Sequence, residues 1–423
     1  MHRAAVRTAR RAPLRLLVSS LLTLAAMAPA AYAGWAFSPA ITVAPAGSAS
    51  SKQQTHFFHH LESAGRKNIA VSGGVVAVVW EDNHTGSSQV YVAFKREQAN
   101  AFSAPVQLST GQQAYEPAVA PIAGARFVVA WEQDGHVWLR AAGPGTKSAA
   151  QRVSAAPSRQ ASLAAGSDQG PNGRIQLVWV QRDGHFPRVM TAPVRTAPHL
   201  HVGSARPVDA KPPTQSQLYP SVALTRDRIV VAWEDRRSGH TRLLYSAAGP
   251  DGAFSAPRGL NEFRVGNAKF GRGTGVTRVA LAAMGGQQVG ATWMDKRDFR
   301  GGYDIYAALS DDGGRHFGAN EKVQDVFGND QPQWHPAIAA THDGQVAVAW
   351  DDPRDNTEDV WLSWRTRDGW SDDAAVGPAS GPGVQSDPVL AFDREGNLHI
   401  AWIARPSPNG PTRILYSVGR PTP

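Results

Sequence analysis

The chain has 423 residues, 42% of them hydrophobic, with 41 glycines, 30 prolines and 13 tryptophans but no cysteine. This composition favours a turn-rich all-β protein and excludes a disulfide framework and thiol chemistry. The formal net charge of +8 arises mostly from five arginines within positions 1–33, so no basic block indicates a nucleic-acid partner.

The N-terminal segment, positions 1–33, has the pattern of an export signal. A basic start is followed by an apolar run and by a small-residue end, Ala31-Tyr32-Ala33. A retained membrane anchor is the alternative, but the apolar run is short and interrupted by serines and a proline. We therefore expect a signal peptide over residues 1–33, a secreted or periplasmic protein, and a single domain over residues 34–423 with no transmembrane segment after cleavage.

A repeat centred on tryptophan follows the signal. Seven short apolar runs end in tryptophan at fairly regular intervals, and each has a shorter strand before it and a polar turn and further strand after it. This is the size and order of a four-stranded propeller blade. Because each of these tryptophans ends an apolar β-run, we expect core packing between blades. They are Trp80, Trp131, Trp179, Trp233, Trp293, Trp350 and Trp402.

The two ends of the repeat region complement each other. The last unit stops after its third strand, whereas a spare strand-like segment, "FSPAITV" at residues 37–43, precedes the first unit. We expect this segment to pair with residues 414–417 and to close a ring of seven blades, which removes open sheet edges.

One turn resembles a known family. "SDDGGRHF", residues 310–317, matches the Asp box S-x-D-x-G-x-x-W/F of the sialidase-like, BNR-repeat propellers, and "DGAF" and "DGW" are fragments of it in other units. The resemblance implies a structural hairpin formed by Ser310, Asp312, Gly314 and Phe317, on the face opposite the active site. Sialidases have six blades, so a six-bladed propeller is the alternative to the seven counted here.

The turns after the tryptophans lie on the other face by antiparallel order. The pattern W-x-D-x-R occurs in three successive units, with Arg237, Arg297 and Arg354. Each arginine can pair with the aspartate of its own turn, or the three can form an arc that binds a carboxylate. Sialidases hold a carboxylate with three arginines, but the family's R-I-P motif and its tyrosine and glutamate pair are not evident here.

The residues that begin each inner strand share that face and lie closer to the ring axis. Their types differ between units, as expected of a ligand site on a repeat fold. The ligand-face candidates of this kind are Asn68, Tyr115, Glu116, Tyr219, Arg278, Trp334, His335 and Asp387. Trp334 lies outside the apolar runs and is a candidate for stacking on a ligand.

Histidines recur in the turns of successive units, but the turns of neighbouring blades are expected to be about 10 Å apart, too far for one ion whose ligands lie about 2 Å away. "HFFHH" at residues 56–60 is a weaker alternative, and we expect no metal and no cofactor.

We expect an exported propeller that binds a glycan or a protein on this face without catalysis. The alternatives are a glycoside hydrolase of the sialidase or carboxylate-pair type, and a scaffold inside an envelope assembly. Two carboxylates about 5 to 10 Å apart in the central funnel would favour hydrolysis.

Overall fold

The structure, a computed structural model, describes residues 34–46, 58–62, 65–166, 173–182, 184–262, 275–298 and 302–422. The predicted signal peptide lies outside these residues. Within them, 32 strands form seven antiparallel sheets, and no helix is long and apolar enough to cross a membrane. The predicted all-β, seven-bladed propeller is confirmed.

The first three blades follow one another along the chain, each running from an inner to an outer strand. The first contains β3 (His59–His60), β4 (Ile69–Ser72), β5 (Val75–Asp82), β6 (Gln89–Arg96) and β7 (Val106–Gln107). The second contains β8 (Ala114–Ile122), β9 (Arg126–Gln133), β10 (His136–Gly143), β11 (Thr146–Lys147) and β12 (Gln151–Arg152). The third contains β13 (Ser158–Ala165), β14 (Ile175–Arg182), β15 (Pro187–Arg195), β16 (His201–Val202) and β17 (Arg206–Pro207).

Blades four to six have four strands each. The fourth contains β18 (Gln217–Leu224), β19 (Ile229–Asp235), β20 (Arg242–Ala248) and β21 (Arg258–Gly259). The fifth contains β22 (Val276–Ala283), β23 (Val289–Asp295), β24 (Asp304–Ser310) and β25 (Glu321–Lys322). The sixth contains β26 (Trp334–Ala340), β27 (Val346–Asp352), β28 (Asp359–Trp364) and β29 (Ala374–Ala375), and single 3-10 turns lie at Val326–Gly328 and Gly377–Ala379.

The seventh blade joins both ends of the chain. It contains β30 (Val384–Phe392), β31 (Leu398–Arg405) and β32 (Arg413–Thr422), together with β1 (Gly34–Phe37) and β2 (Ile41–Ala44). Both N-terminal strands pair with β32, with Phe37 opposite Gly419 and Ile41 opposite Tyr416. The predicted closure is confirmed.

The tryptophan of each repeat packs between its own blade and the preceding one. All seven are fully buried, and each belongs to a hydrophobic cluster formed by two neighbouring blades. In six blades the indole N–H donates to the side chain two residues later, as from Trp80 Nε1 to Asp82 Oδ2 at 2.7 Å. The Asp of W-x-D therefore satisfies a buried donor, which explains why the pair recurs.

The turn at residues 310–317 is stabilised by hydrogen bonds within itself. Asp312 Oδ1 accepts the Ser310 hydroxyl and two backbone N–H groups, and the Ser310 Oγ accepts from the Gly314 N–H at 3.0 Å. Gly314 has φ of +75°, and a β-carbon there would lie 2.6 Å from Val230 of the fourth blade. Phe317 packs edge-on against Tyr245, also in the fourth blade. These contacts are those of a structural hairpin that joins two blades.

We call the side with the W-x-D-x-R turns and the beginnings of the inner strands the front face. The side with the turn at residues 310–317 and the first hairpin turn of each blade is the back face.

Candidate functional site

Each inner strand is irregular near its beginning on the front face. In six blades this position holds a non-glycine residue with φ between +48° and +63°, a left-handed conformation that such residues rarely adopt. These residues are Glu116, Gln160, Tyr219, Arg278, His335 and Asp387. The sequence analysis named five of these residues but missed Gln160. More residues separate Gln160 from its tryptophan than separate the other five from theirs, because the first hairpin of that unit is longer.

The preceding blade holds five of these six residues through their backbone N–H. Four of the five acceptors directly follow a core tryptophan. The sequence analysis overlooked this position because it considered the aspartate two residues after each tryptophan. A hydrogen bond to a carboxylate contributes about 1.5–3 kcal/mol, which offsets the roughly 1–3 kcal/mol cost of a left-handed residue. The acceptors are Glu81, Glu132, Gln160, Glu234 and Asp351, at 2.7 to 3.2 Å from the nitrogen.

In the first blade a loop replaces this single residue. Residues 61–62 and 65–68 lie between β3 and β4, both of which pair with β5, so the loop interrupts one inner strand. The Gly65 carbonyl accepts from Ser162 Oγ of the third blade at 2.7 Å, and a β-carbon on Gly65 would lie 2.9 Å from the Val279 carbonyl of the fifth. The loop therefore crosses the ring axis, and we call it the axial loop.

Asn68 is the anchor of the axial loop and not a ligand-face residue. Its side chain is fully buried; Oδ1 accepts the Glu62 N–H at 2.8 Å, and Nδ2 donates to the Pro117 carbonyl at 2.7 Å. The prediction that Asn68 faces a ligand is wrong, because the inserted loop turns its amide into the core.

The axial loop brings Arg66 into the centre of the front face. Its Nη1 contacts Glu116 Oε2 and lies 3.7 Å from Glu62 Oε2, and its Nη2 lies 3.5 Å from Glu132 Oε1. Burial raises the pKa of Glu132, and Arg66 opposes that shift. Arg66 thus joins three carboxylates from two blades, although neither it nor Glu62 was predicted from the sequence.

A second charged group lies in blades six and seven, next to the first blade. His335 Nδ1 is 2.9 Å from Asp351 Oδ1, and its Nε2 is 3.5 Å from Asp387 Oδ1. Loss of hydration alone would lower the pKa of His335, but the two carboxylates outweigh it and raise the pKa to about 10. His335 is 41% exposed, so this cation is accessible from the front face.

Aromatic rings surround this charged centre. The Arg278 guanidinium lies 4.0 Å from the centroid of Tyr219 and 3.3 Å from Glu62, and the Tyr303 and Trp334 rings meet edge to face at 5.2 Å. Tyr219, Trp334 and Arg278 are each partly exposed, as is Tyr115, whose hydroxyl contacts Gln113.

The three W-x-D-x-R arginines form ion pairs within their own turns. Each guanidinium contacts the aspartate two residues before it, and Arg297 and Arg354 also stack on an aromatic ring of their own blade, Tyr306 and Trp361. Further partners are Asp209 for Arg237, Asn320 for Arg297 and Asp373 for Arg354. Of the two alternatives, the own-turn pairs are present, and each arginine has different further partners, so the contacts are those of blade architecture.

The centre offers two chemical arrangements besides binding. His60, Glu62 and Glu116 each present a donor atom within 4.8 Å of the others, a spacing compatible with a cation. The same spacing brings an oxygen of Glu62 within 4.8 Å of one of Glu116, slightly closer than the about 5–5.5 Å of a retaining glycosidase pair. In both cases Arg66 contacts the two glutamates, so its guanidinium already supplies the positive charge between them.

The back face has the larger cavity, of about 870 Å³. The first hairpin turns of all seven blades line it, with glycines and with polar or charged residues that include Arg226, His342, Asp393 and His399. His399 is fixed there between Asp393 Oδ2 at 3.1 Å and the Tyr416 hydroxyl at 2.6 Å. The front face carries the ion pairs of Arg66 and His335 beside partly exposed aromatic rings, and we therefore take it as the candidate site.

The solved structures that are similar to this chain include those of three proteins. The β-propeller domain of the Trilobed protease from Pyrococcus furiosus has a TM-score of 0.50 at 13% identity, covering 85% of this chain and 96% of that one. A Dyadobacter fermentans protein of unknown function has a TM-score of 0.48 at 11% identity, with coverages of 90% and 99%. A Penicillium chrysogenum α-L-arabinanase complexed with arabinobiose has a TM-score of 0.46 at 10% identity, with coverages of 71% and 92%.

No protein-family model and no curated protein sequence matches the chain. The likeness to the protease domain concerns the fold alone, and the chain shares with it the β-propeller architecture.

Proposed function

We propose that the protein binds a carbohydrate on the front face without hydrolysing it. The site is the mouth formed by Tyr219, Arg278, Trp334, His335 and Asp387, where partly exposed aromatic rings adjoin fixed charged groups. Sugar rings stack on aromatic faces, and their hydroxyls take hydrogen bonds from charged groups, so this combination suits a glycan. The backbones of Tyr219, Arg278 and Asp387 are already held by the preceding blade, which lowers the entropy cost of binding.

The observation that carries the non-catalytic role is the position of Arg66. It contacts both Glu62 and Glu116, whose nearest oxygens lie within 4.8 Å of each other. A glycosidic oxygen would need the space between them. Because the guanidinium occupies that space, these carboxylates support the fold of the axial loop and are not arranged to receive a sugar.

The test is direct binding by the purified protein. Calorimetry against a panel of oligosaccharides, including sialosides, is expected to find a ligand whose affinity falls about tenfold or more in Trp334→Ala and in Arg278→Ala. His342→Ala, an exposed position on the back face, is the control and should bind normally. Unchanged affinity in both front-face variants would place the site elsewhere, and binding of a protein without any glycan would assign a different ligand class.

A glycoside hydrolase is the second candidate, and the spacing of Glu62 and Glu116 is the observation that favours it. Aryl glycosides and sialosides are the substrates to test. We expect no turnover. Turnover that is lost in Glu116→Gln or Tyr219→Phe, with circular dichroism unchanged, would replace the binding proposal with hydrolysis.

We also propose that the protein is an exported relative of the sialidase-like, BNR-repeat propellers. The Asp box supports the relationship, and the pattern of positions 1–33 supports export to the periplasm or beyond the cell. Terminal sequencing of the protein from the exported fraction should begin at or near Gly34. An intact Met1 terminus in that fraction would contradict cleavage.

A further inference from the structure

A partly exposed aromatic ring lies on the front face away from the mouth. Tyr115 belongs to β8 of the second blade, whereas Tyr219 of the mouth belongs to β18 of the fourth. Two hollows flank Tyr115. The first hollow lies between blades one and two, has a volume of about 490 Å³ and is also lined by Gln112 and Gln113. The second hollow lies between blades two and three and has a volume of about 410 Å³.

The second hollow has an amphipathic lining. Apolar surface comes from Pro157, Val180 and Pro187. The charged residues beside them are of both signs, namely Glu132, Asp134, Arg159 and Arg182. A sugar ring has apolar C–H faces and hydroxyls that both donate and accept hydrogen bonds, so it matches this mixture better than a ligand with a large net charge does.

Hydrogen bonds connect the second hollow to the mouth. Glu132, in the lining of the hollow, accepts the backbone N–H of Gln160 at 2.7 Å. Gln160 Oε1 accepts the backbone N–H of Tyr219 at 2.9 Å, and Arg159, the residue before Gln160, also lines the hollow. The relative position of the second hollow and the mouth is therefore fixed by the contacts of blades two, three and four. A ligand long enough to reach from one to the other meets a preformed surface.

A third hollow adjoins the mouth between blades four and five. Its volume is about 410 Å³, and Tyr303 and Arg236 are among its lining residues. The Tyr303 ring meets that of Trp334 edge to face at 5.2 Å, and the Lys296 amine lies 4.3 Å from the Tyr303 centroid. Partly exposed aromatic rings thus occur in blades two, four, five and six, along an arc of the front face. Separate rings along an arc suit a ligand that repeats one unit along its length.

We propose that the front face binds an internal stretch of a linear polysaccharide, with sugar units in the second hollow and in the mouth at the same time and with Tyr115 stacked on a unit distant from the mouth. The inference rests on the proposed binding of carbohydrate at the mouth and extends it from one sugar to a chain. A chain that occupies several subsites loses its translational freedom only once, so its affinity rises with its length. A terminal sugar would occupy the mouth alone and would gain nothing from Tyr115.

The first test is calorimetry of the purified protein with cello-, xylo-, malto- and chito-oligosaccharides, each from disaccharide to hexasaccharide. In a series that binds, the hexasaccharide is expected to bind about tenfold or more tightly than the disaccharide. Tyr115→Ala is expected to remove most of that gain and to leave the disaccharide affinity unchanged. Trp334→Ala should weaken both, because both occupy the mouth. His316→Ala, which removes a side chain that is 70% exposed on the back face, is the matched control and should change neither affinity.

Two further variants separate stacking on Tyr115 from a general disturbance of the blade. Tyr115→Phe retains the ring and loses only the hydroxyl contact with Gln113, so it should bind the hexasaccharide as the native protein does. Pro157→Trp fills the second hollow and should weaken the hexasaccharide while sparing the disaccharide.

Equal affinity of the native protein for the two lengths, or an equal loss of both affinities in Tyr115→Ala, would overturn the extended site and leave the mouth as the binding site. A native protein that binds sialosides but no member of these series would overturn this inference alone. One that binds neither would overturn the carbohydrate proposal with it.

Discussion

The carboxylate of Glu234 in the fourth blade accepts the backbone N–H of Arg278 in the fifth, with 3.0 Å between Oε1 and N. The same oxygen accepts the hydroxyl of Thr277 at 2.6 Å. Arg278 has φ of +63°, so its neighbour supplies the hydrogen bond that an ordinary strand residue would make within its own sheet. Equivalent bonds join blades one to two, two to three, three to four and six to seven. These bonds fix the beginnings of the inner strands around the mouth of the front face.

We expect Glu234→Ala to lower the free energy of unfolding by about 2–3 kcal/mol, because it leaves the Arg278 N–H and the Thr277 hydroxyl without their acceptor. Urea unfolding followed by tryptophan fluorescence measures the loss. Glu395→Ala, at an exposed position of the seventh blade, is the control and should cost less than about 0.5 kcal/mol. Equal effects of the two substitutions would show that the rim bond contributes nothing.

Protonated His335 should stabilise the fold, so its contribution to stability should decrease as the pH rises. Its folded pKa of about 10 is higher than the ordinary 6.5, so the protonated form is favoured by folding. This stabilisation is fully present below pH 6.5 and is lost as the pH rises through 10. The cost of His335→Gln should therefore be greatest near pH 6 and disappear above pH 10. NMR titration measures the pKa of His335 directly, and Asp387→Asn should lower that pKa. A pKa near 6.5 in the native protein would refute the ion pairs of His335 with Asp351 and Asp387.

The pKa of Lys67, in the axial loop, is shifted in the direction that disfavours the charged form. Lys67 lines a small cavity between the axial loop and the inner strands, and loss of hydration lowers the pKa of its amine from 10.5 to about 8, although the residue is partly exposed. Folding therefore disfavours the charged form, and stability should rise as the pH increases from 8 to 10.5. We expect Lys67→Met to be more stable than the native protein at pH 7 and to lose that advantage above pH 10.5. Lys211→Met, at an exposed position, should show no such pH dependence.

Trp35 should be essential to ring closure. Its ring meets Trp364 of the sixth blade edge-on at 5.3 Å and Phe392 at 5.8 Å, and its N–H donates to the Gly396 carbonyl at 3.4 Å. We expect Trp35→Ala to lower the free energy of unfolding by about 3 kcal/mol and to expose residues 34–44 to proteases first. Val106→Ala, in the outer strand of the first blade, is the control. Unchanged stability and protease resistance in Trp35→Ala would mean that β1 does not hold the ring closed.

The repeat region of the sequence predicts most of the architecture, because each blade is formed by contacts between residues close in sequence. Trp80, for example, ends an apolar run whose length and spacing define one blade, and Asp82 satisfies its indole two residues later. Antiparallel order then determines which residues begin an inner strand, so Glu116 and His335 could be assigned to the front face from their distance to a tryptophan. The spare segment at residues 37–43 predicted closure for the same reason, since a missing strand and an extra one can satisfy each other's hydrogen bonds.

The tertiary structure alone decided what occupies the centre of the ring. The axial loop replaces a single left-handed residue in the first blade, and nothing in its local sequence shows that Arg66 will contact glutamates of both its own blade and the second. Such contacts join residues up to 66 positions apart, and they depend on where seven separately formed blades meet. The same insertion buried Asn68, which local spacing had assigned to the surface. Repeated positions are fixed by the geometry of one blade, whereas the side chains at the axis are fixed by the packing of all seven.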